Sequence, residues 1–110
     1  MKLKPIKDKK KIEKIFELGS FVKCGSVTVK FYDFNNSPSE YGVSVPKKKF
    51  PLAVTRNKIK RRARSCIDGL SKNSSIKNGR SFFVIINHQK IPLYDEIYTD
   101  LSSVFEKLST

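Results

Sequence analysis

Residues 55 to 67 read TRNKIKRRARSCI, and six of these positions, Arg56, Lys58, Lys60, Arg61, Arg62 and Arg64, are basic. Four of the six are arginines, whose planar donor fork suits phosphate oxygens, and Lys47, Lys48 and Lys49 lie just upstream. The chemistry such a set performs is neutralisation of a polyanion. Cutting a phosphodiester with side chains would need clustered carboxylates for metals or a histidine pair for proton transfer. The basic half carries only the scattered Asp8, Glu13, Glu17, Asp33 and Glu40, each read as a cap or an ion-pair partner. Cys24 and Cys66 are isolated and no CxxC occurs, so metal-ligand spacing is absent. Cys66 is read as a core residue, and His88, beside Asn87 and Gln89, as a surface or turn residue.

The basic segment also has an apolar side. At about 100° per residue, with Arg56 at zero, Lys60 falls near ~40°, Arg64 near ~80°, Asn57 near ~100° and Arg61 near ~140°. Ile59, Ala63, Cys66, Ile67 and Leu70 gather between about 280° and 20°, which predicts a helix with a core stripe beside a cationic arc. Like charges four apart oppose the helix by a few tenths of a kcal/mol per pair. No acidic residue between positions 41 and 67 offsets them. Repulsion left uncompensated points to a partner outside the chain.

The elements that hold this helix must come from a small protein. A chain of 110 residues builds one domain, taken as 1–110, around one core. It has 23 Lys+Arg against 10 Asp+Glu, and the imbalance is confined to one part: residues 1–64 hold 18 basic and 5 acidic residues, residues 65–110 hold 5 of each. With 38% hydrophobic residues the chain is too apolar for a disordered basic tail. Nucleic acid is favoured over an anionic membrane surface or simple solubility. MKLKPIKDKKK has no apolar run after its charges and no stretch approaches a membrane span, so a cytoplasmic protein without membrane contact is expected.

Asp8 is placed to cap a short helix carrying Ile12, Ile15 and Phe16, with Gly19 expected to end it in the left-handed conformation. Val27, Val29 and Phe31 alternate with Thr28, Lys30 and Tyr32 as a half-buried strand. After the turn-forming NNSPSE, Tyr41, Val43 and Val45 form a second strand stopped by Pro46, and the two are expected to pair as an antiparallel hairpin. FFVII, residues 82–86 after Asn78 and Gly79, reads as a strand covered on both faces. Ile97, Leu101, Val104, Phe105 and Leu108 mark the inner side of a closing helix.

The stretch YGVSVPKKKFPLAVTRNKIKRRAR, Tyr41 to Arg64, closely resembles the signature of the protein subunit of bacterial ribonuclease P. In that pattern a strand ends in paired lysines, and a short loop leads into Ala-Val-x-Arg-Asn-x-x-Lys-Arg-x-x-Arg. The matching residues are Lys47, Lys48, Ala53, Val54, Arg56, Asn57, Lys60, Arg61 and Arg64, and KIFELG with Phe16 and Gly19 looks like the family's first helix. The loop Lys49, Phe50, Pro51, Leu52 is longer than the family's and lacks its glycine. Glu40 stands where an arginine is common, and Ser65 where a glutamate is.

The resemblance implies an α+β two-layer sandwich of ribosomal-protein-like type, in helix-strand-strand-strand-helix-strand-helix order. The early strand of that order has weak support here: either segment 21–34 breaks at Gly25 or the strand count differs. In the family the RNA subunit is the catalyst and uses magnesium to remove the 5′ leader of precursor tRNA, and the protein itself is expected to bind no metal. The expected RNA contacts are Lys47, Lys48, Arg56, Asn57, Lys60, Arg61 and Arg64. Leader contacts are sought among Phe16, Phe31 and Tyr32, of which Phe31 and Tyr32 point to opposite sheet faces, and Phe16 is either a stacking surface or core. The partners implied are the catalytic RNA and precursor tRNA, with no obligate protein partner. A ribosomal or other structural RNA-binding protein is the alternative. A DNA-binding helix-turn-helix is disfavoured because no helix precedes the basic one across a short turn.

Overall fold

Eight elements follow one another in the computed structural model, which describes residues 3–34, 38–73, 79–86 and 90–108. They are β1 (Lys4–Pro5), α1 (Lys9–Leu18), β2 (Ser20–Cys24), β3 (Val27–Asp33), β4 (Glu40–Ser44), α2 (Ala53–Asn73), β5 (Arg80–Ile86) and α3 (Tyr94–Leu108). The expected order is present, preceded by a two-residue strand. The early strand exists because the chain does break at Gly25, whose φ of 54° closes the turn between β2 and β3.

The strands form one mixed sheet in the order β1-β4-β5-β3-β2. This corrects the expected hairpin. β3 and β4 are not neighbours: β5 lies between them, antiparallel to β3 and parallel to β4. The alternation in both strands is real, but it records which face is buried and says nothing of the partner. The hairpin in the chain is β2–β3 instead.

Parity then sorts the side chains. Val27, Val29, Tyr41, Phe82, Val84 and Ile86 face one way and build the core with Ile59, Ala63, Cys66, Ile67 and Leu70 of α2 and Ile97, Leu101, Val104, Phe105 and Leu108 of α3. Ile59, Ile67 and Leu70 each contribute about 1.5–3 kcal/mol by burial, more than the few tenths lost per like-charged pair along α2. Tertiary packing therefore holds the basic helix. Arg80 is buried at the edge of this core, where its Nε donates to Asp33 Oδ1 at 2.6 Å and its Nη1 to the Leu108 carbonyl at 2.9 Å. That pairing raises the Arg80 pKa further, so the group stays charged.

α1 crosses the opposite face. Asp8 caps it as expected, its Oδ1 accepting from the Lys10 N–H at 2.9 Å. The expected left-handed end is not found, for Gly19 is extended, with φ −72° and ψ 155°. Glycine is needed there for close approach: a Cβ would lie 2.4 Å from the Ile15 carbonyl oxygen and 2.6 Å from that of Phe31. β5 is fully covered on the helical side, while Phe83 and Ile85 on the other are only half-buried. That corrects the expectation of two covered faces, since α1 spans part of its face and leaves the rest open. His88, Asn78 and residues 35–37 of the expected turn lie outside the described residues.

Candidate nucleic-acid interface

The basic helix has the arc predicted for it. Asn57, Lys58, Arg61 and Arg64 are exposed, Lys60 is half-buried, and every residue of the apolar stripe is buried. Two of the six cations have structural duties. Arg56 donates from Nη1 to the carbonyls of Phe50 at 2.9 Å and Pro51 at 2.8 Å, and Arg62 donates to the Pro92 carbonyl at 2.9 Å. Arg56 therefore holds the glycine-free loop against the start of α2. Within that loop the Lys49 and Phe50 N–H groups both reach the Pro46 carbonyl, and Phe50 is buried. Lys47, Lys48 and Lys49 project from this turn, exposed.

The turn leaves the C-terminal end of β4, the end of the sheet that α1 does not cover. α1 is tied to the other end by Lys11 Nζ on Glu40 Oε1 at 2.9 Å, and Lys11 also lies over the Phe34 ring at 5.5 Å. The remaining face is a shallow cleft. Its α1 wall is Phe16, 37% exposed, with its ring 5.2 Å from that of Phe83 and Lys30 Nζ at 5.3 Å from its centroid. The floor continues through Thr28, Ser44 and Ile85, which parity places beside Lys30, Gly42 and Phe83. Gly42 makes the aromatic contact possible, since a Cβ there would lie 2.4 Å from the Phe83 ring.

The expected leader residues separate by face. Phe16 and Tyr32 lie on the cleft side, and Tyr32 packs on Phe34 with ring centroids 4.9 Å apart. Phe31 lies on the helical side, packed against the core with the Arg80 guanidinium 4.8 Å over its ring, so it does not face the cleft. Lys30, Phe83 and the 67% exposed Phe21, which pairs with Lys30, were missed by the sequence reading. Strand parity carried that signal: once Val29 and Val84 are assigned inward, their neighbours face the cleft.

Four carboxylates have structural duties: Asp8 caps α1, Asp33 pairs with Arg80, Glu40 pairs with Lys11, and Asp100 Oδ2 accepts from both the Ser26 N–H and Oγ. Among the described residues no group of three His, Cys, Asp or Glu could hold a metal ion, and no helix is long and apolar enough to cross a membrane. Burial pushes the Cys66 thiol up, and its Sγ donates to the Tyr94 carbonyl at 3.7 Å, as befits a core residue.

A family model described as Ribonuclease P matches residues 1–109. No curated protein matches the chain. Among solved structures, the RNase P protein of Staphylococcus aureus is 26% identical with a TM-score of 0.79, covering 99% of this chain and 100% of that one. The RNase P protein of Thermotoga maritima shares the fold at 19% identity, with a TM-score of 0.77 over 97% of this chain and 99% of that one. A basic helix on a mixed five-stranded sheet, with the family's pattern along the whole chain, makes this protein a member of the ribonuclease P protein family, the protein component of a ribonucleoprotein endonuclease.

Proposed function

We propose that this chain, acting as one domain over residues 1–110, binds the catalytic RNA of ribonuclease P and helps it hold the 5′ leader of precursor tRNA in the cytoplasm. The observation that carries this reading is the presence of two distinct surfaces on one small domain. One is the basic arc of Lys47, Lys48, Asn57, Lys60, Arg61 and Arg64, and the other is the aromatic and cationic cleft of Phe16, Lys30 and Phe83. The arc neutralises phosphates with little regard for sequence. Arg56 supports it by holding the loop and leaves the rest of its guanidinium for RNA. The cleft suits an unpaired strand, with an aromatic face for a base and a lysine for the adjoining phosphate. Tyr32 stands as a further leader contact at the margin of the cleft.

Magnesium and the bond-breaking chemistry belong in this reading to the RNA. The protein lowers the repulsion between two polyanions, so the RNA needs less magnesium to retain its substrate. The test is cleavage of precursor tRNA by ribonuclease P RNA across a magnesium series. Adding protein should lower the magnesium requirement, while protein alone cleaves nothing. Sustained cleavage by RNA-free protein, abolished by one side-chain substitution, would overturn the assignment. RNA binding without any effect on cleavage would favour a structural RNA-binding role.

A further inference from the structure

Leu52 sits where a helix wants a capping side chain. It immediately precedes α2, and its carbonyl accepts the bond from the Arg56 N–H at 3.1 Å. Ser, Thr, Asp and Asn are favoured at that position and leucine is among the poorest choices. Leu52 is also 68% exposed, so the core does not explain it. Beside it runs a groove of about 310 Å³ whose walls include Lys49, Pro51, Leu52, Thr55, Lys90 and Ile91, and Ile91 is itself 46% exposed. The ledge is rigid, because Phe50 anchors it in the core and Arg56 grips two of its carbonyls. A fixed apolar surface has thus been placed amid the most basic part of the chain, against the preference of the helix that follows.

Charge decides the occupant. The groove is rimmed by lysines and adjoins a run with no acidic residue between positions 41 and 67. A second copy of the chain would bring a net charge of +13 against that rim. An occupant with an apolar flat face and negative edges fits both features. We propose that the Leu52–Ile91 groove receives one unpaired base of the ribonuclease P RNA, with Lys49 and Lys90 against the phosphates flanking it. This rests on the reading above that this RNA is the partner. The base contact singles out one nucleotide, information that the phosphate contacts of the arc do not carry.

The variants Leu52→Ser and Leu52→Ser/Ile91→Ser test it, with RNA affinity measured over a salt series and melting temperature alongside. Leu52→Ser supplies the missing cap, so the melting temperature should rise by about 4 °C. The double variant should bind the RNA roughly tenfold more weakly, with an unchanged salt slope because no cation is lost. A photoreactive benzophenone side chain at position 52 should crosslink to one unpaired nucleotide of the RNA. Unchanged affinity, an altered slope, or crosslinking only to paired RNA, to another protein or to a second copy of the chain would overturn the proposal. If the unmodified protein failed to bind the RNA, the partner itself would be lost and both readings would fall together.

Discussion

Arg61 and Arg64 present their guanidinium groups to solvent, whereas Arg56, on the same helix, grips the loop before it. The three should therefore separate experimentally. Arg61→Ala/Arg64→Ala should keep the melting temperature and lower the slope of log affinity against log salt by about 1.5–2, the share of two phosphate contacts. Arg56→Ala should weaken RNA binding and lower the melting temperature as well. A paired salt series and thermal melt on both variants checks this, and indistinguishable melts would mean the loop does not depend on Arg56. At the cleft, Phe16→Ala should weaken precursor tRNA binding to the holoenzyme by ~1–3 kcal/mol while mature tRNA is held as before. Equal losses on both substrates, read by competition binding, would return Phe16 to a packing role. Its partial exposure leaves a face for a base, and the Phe83 ring behind it fixes its orientation.

Between elements, the glycines show how a cleft is shaped from beneath. Gly42 lies under the Phe83 ring, so Gly42→Ala should displace that ring and then Phe16, lowering melting temperature and leader discrimination together. At Gly69, within α2, an added Cβ would meet only the Tyr98 ring edge at 3.9 Å, an ordinary contact. Gly69→Ala should stabilise by roughly 0.5–1 kcal/mol through helix propensity and leave both tRNAs unaffected. Thermal melts with leader binding on the two variants make the comparison, and a stabilised Gly42→Ala would detach the aromatic pair from its floor. The periodicities that made α2 and α3 legible are local, since a helix buries its stripe whatever it packs on. The same is true of each strand's inward face. Strand neighbours are not local: β4 pairs with β5 across the whole of α2, and nothing in the Tyr41–Val45 alternation records this. The exposed basic arc of α2 was legible for the first reason. Phe83 was obscured because a continuous apolar run conceals its parity, whereas the outward parity of Lys30 was plain and only its place beside Phe16 was not.

At the scale of the molecule, charge and fold are arranged in opposite orders along the chain. All of the net charge lies in residues 1–64, yet the sheet is joined only by β5, which begins at Arg80. Before that strand is in place, β1 and β4 on one side share no strand pairing with β2 and β3 on the other. A polypeptide leaving the ribosome thus displays its whole +13 cluster while the two halves of its sheet are still unjoined. A nascent chain arrested before residue 80 should be readily digested by protease, and one extended past residue 108 and clear of the exit tunnel should resist. Protection appearing before β5 has emerged would show that the halves fold independently. Until then the segment is an incompletely assembled polycation beside ribosomal RNA, whose phosphates attract it without regard to sequence. Placing the joining strand late makes synthesis the interval in which misdirected binding competes with folding.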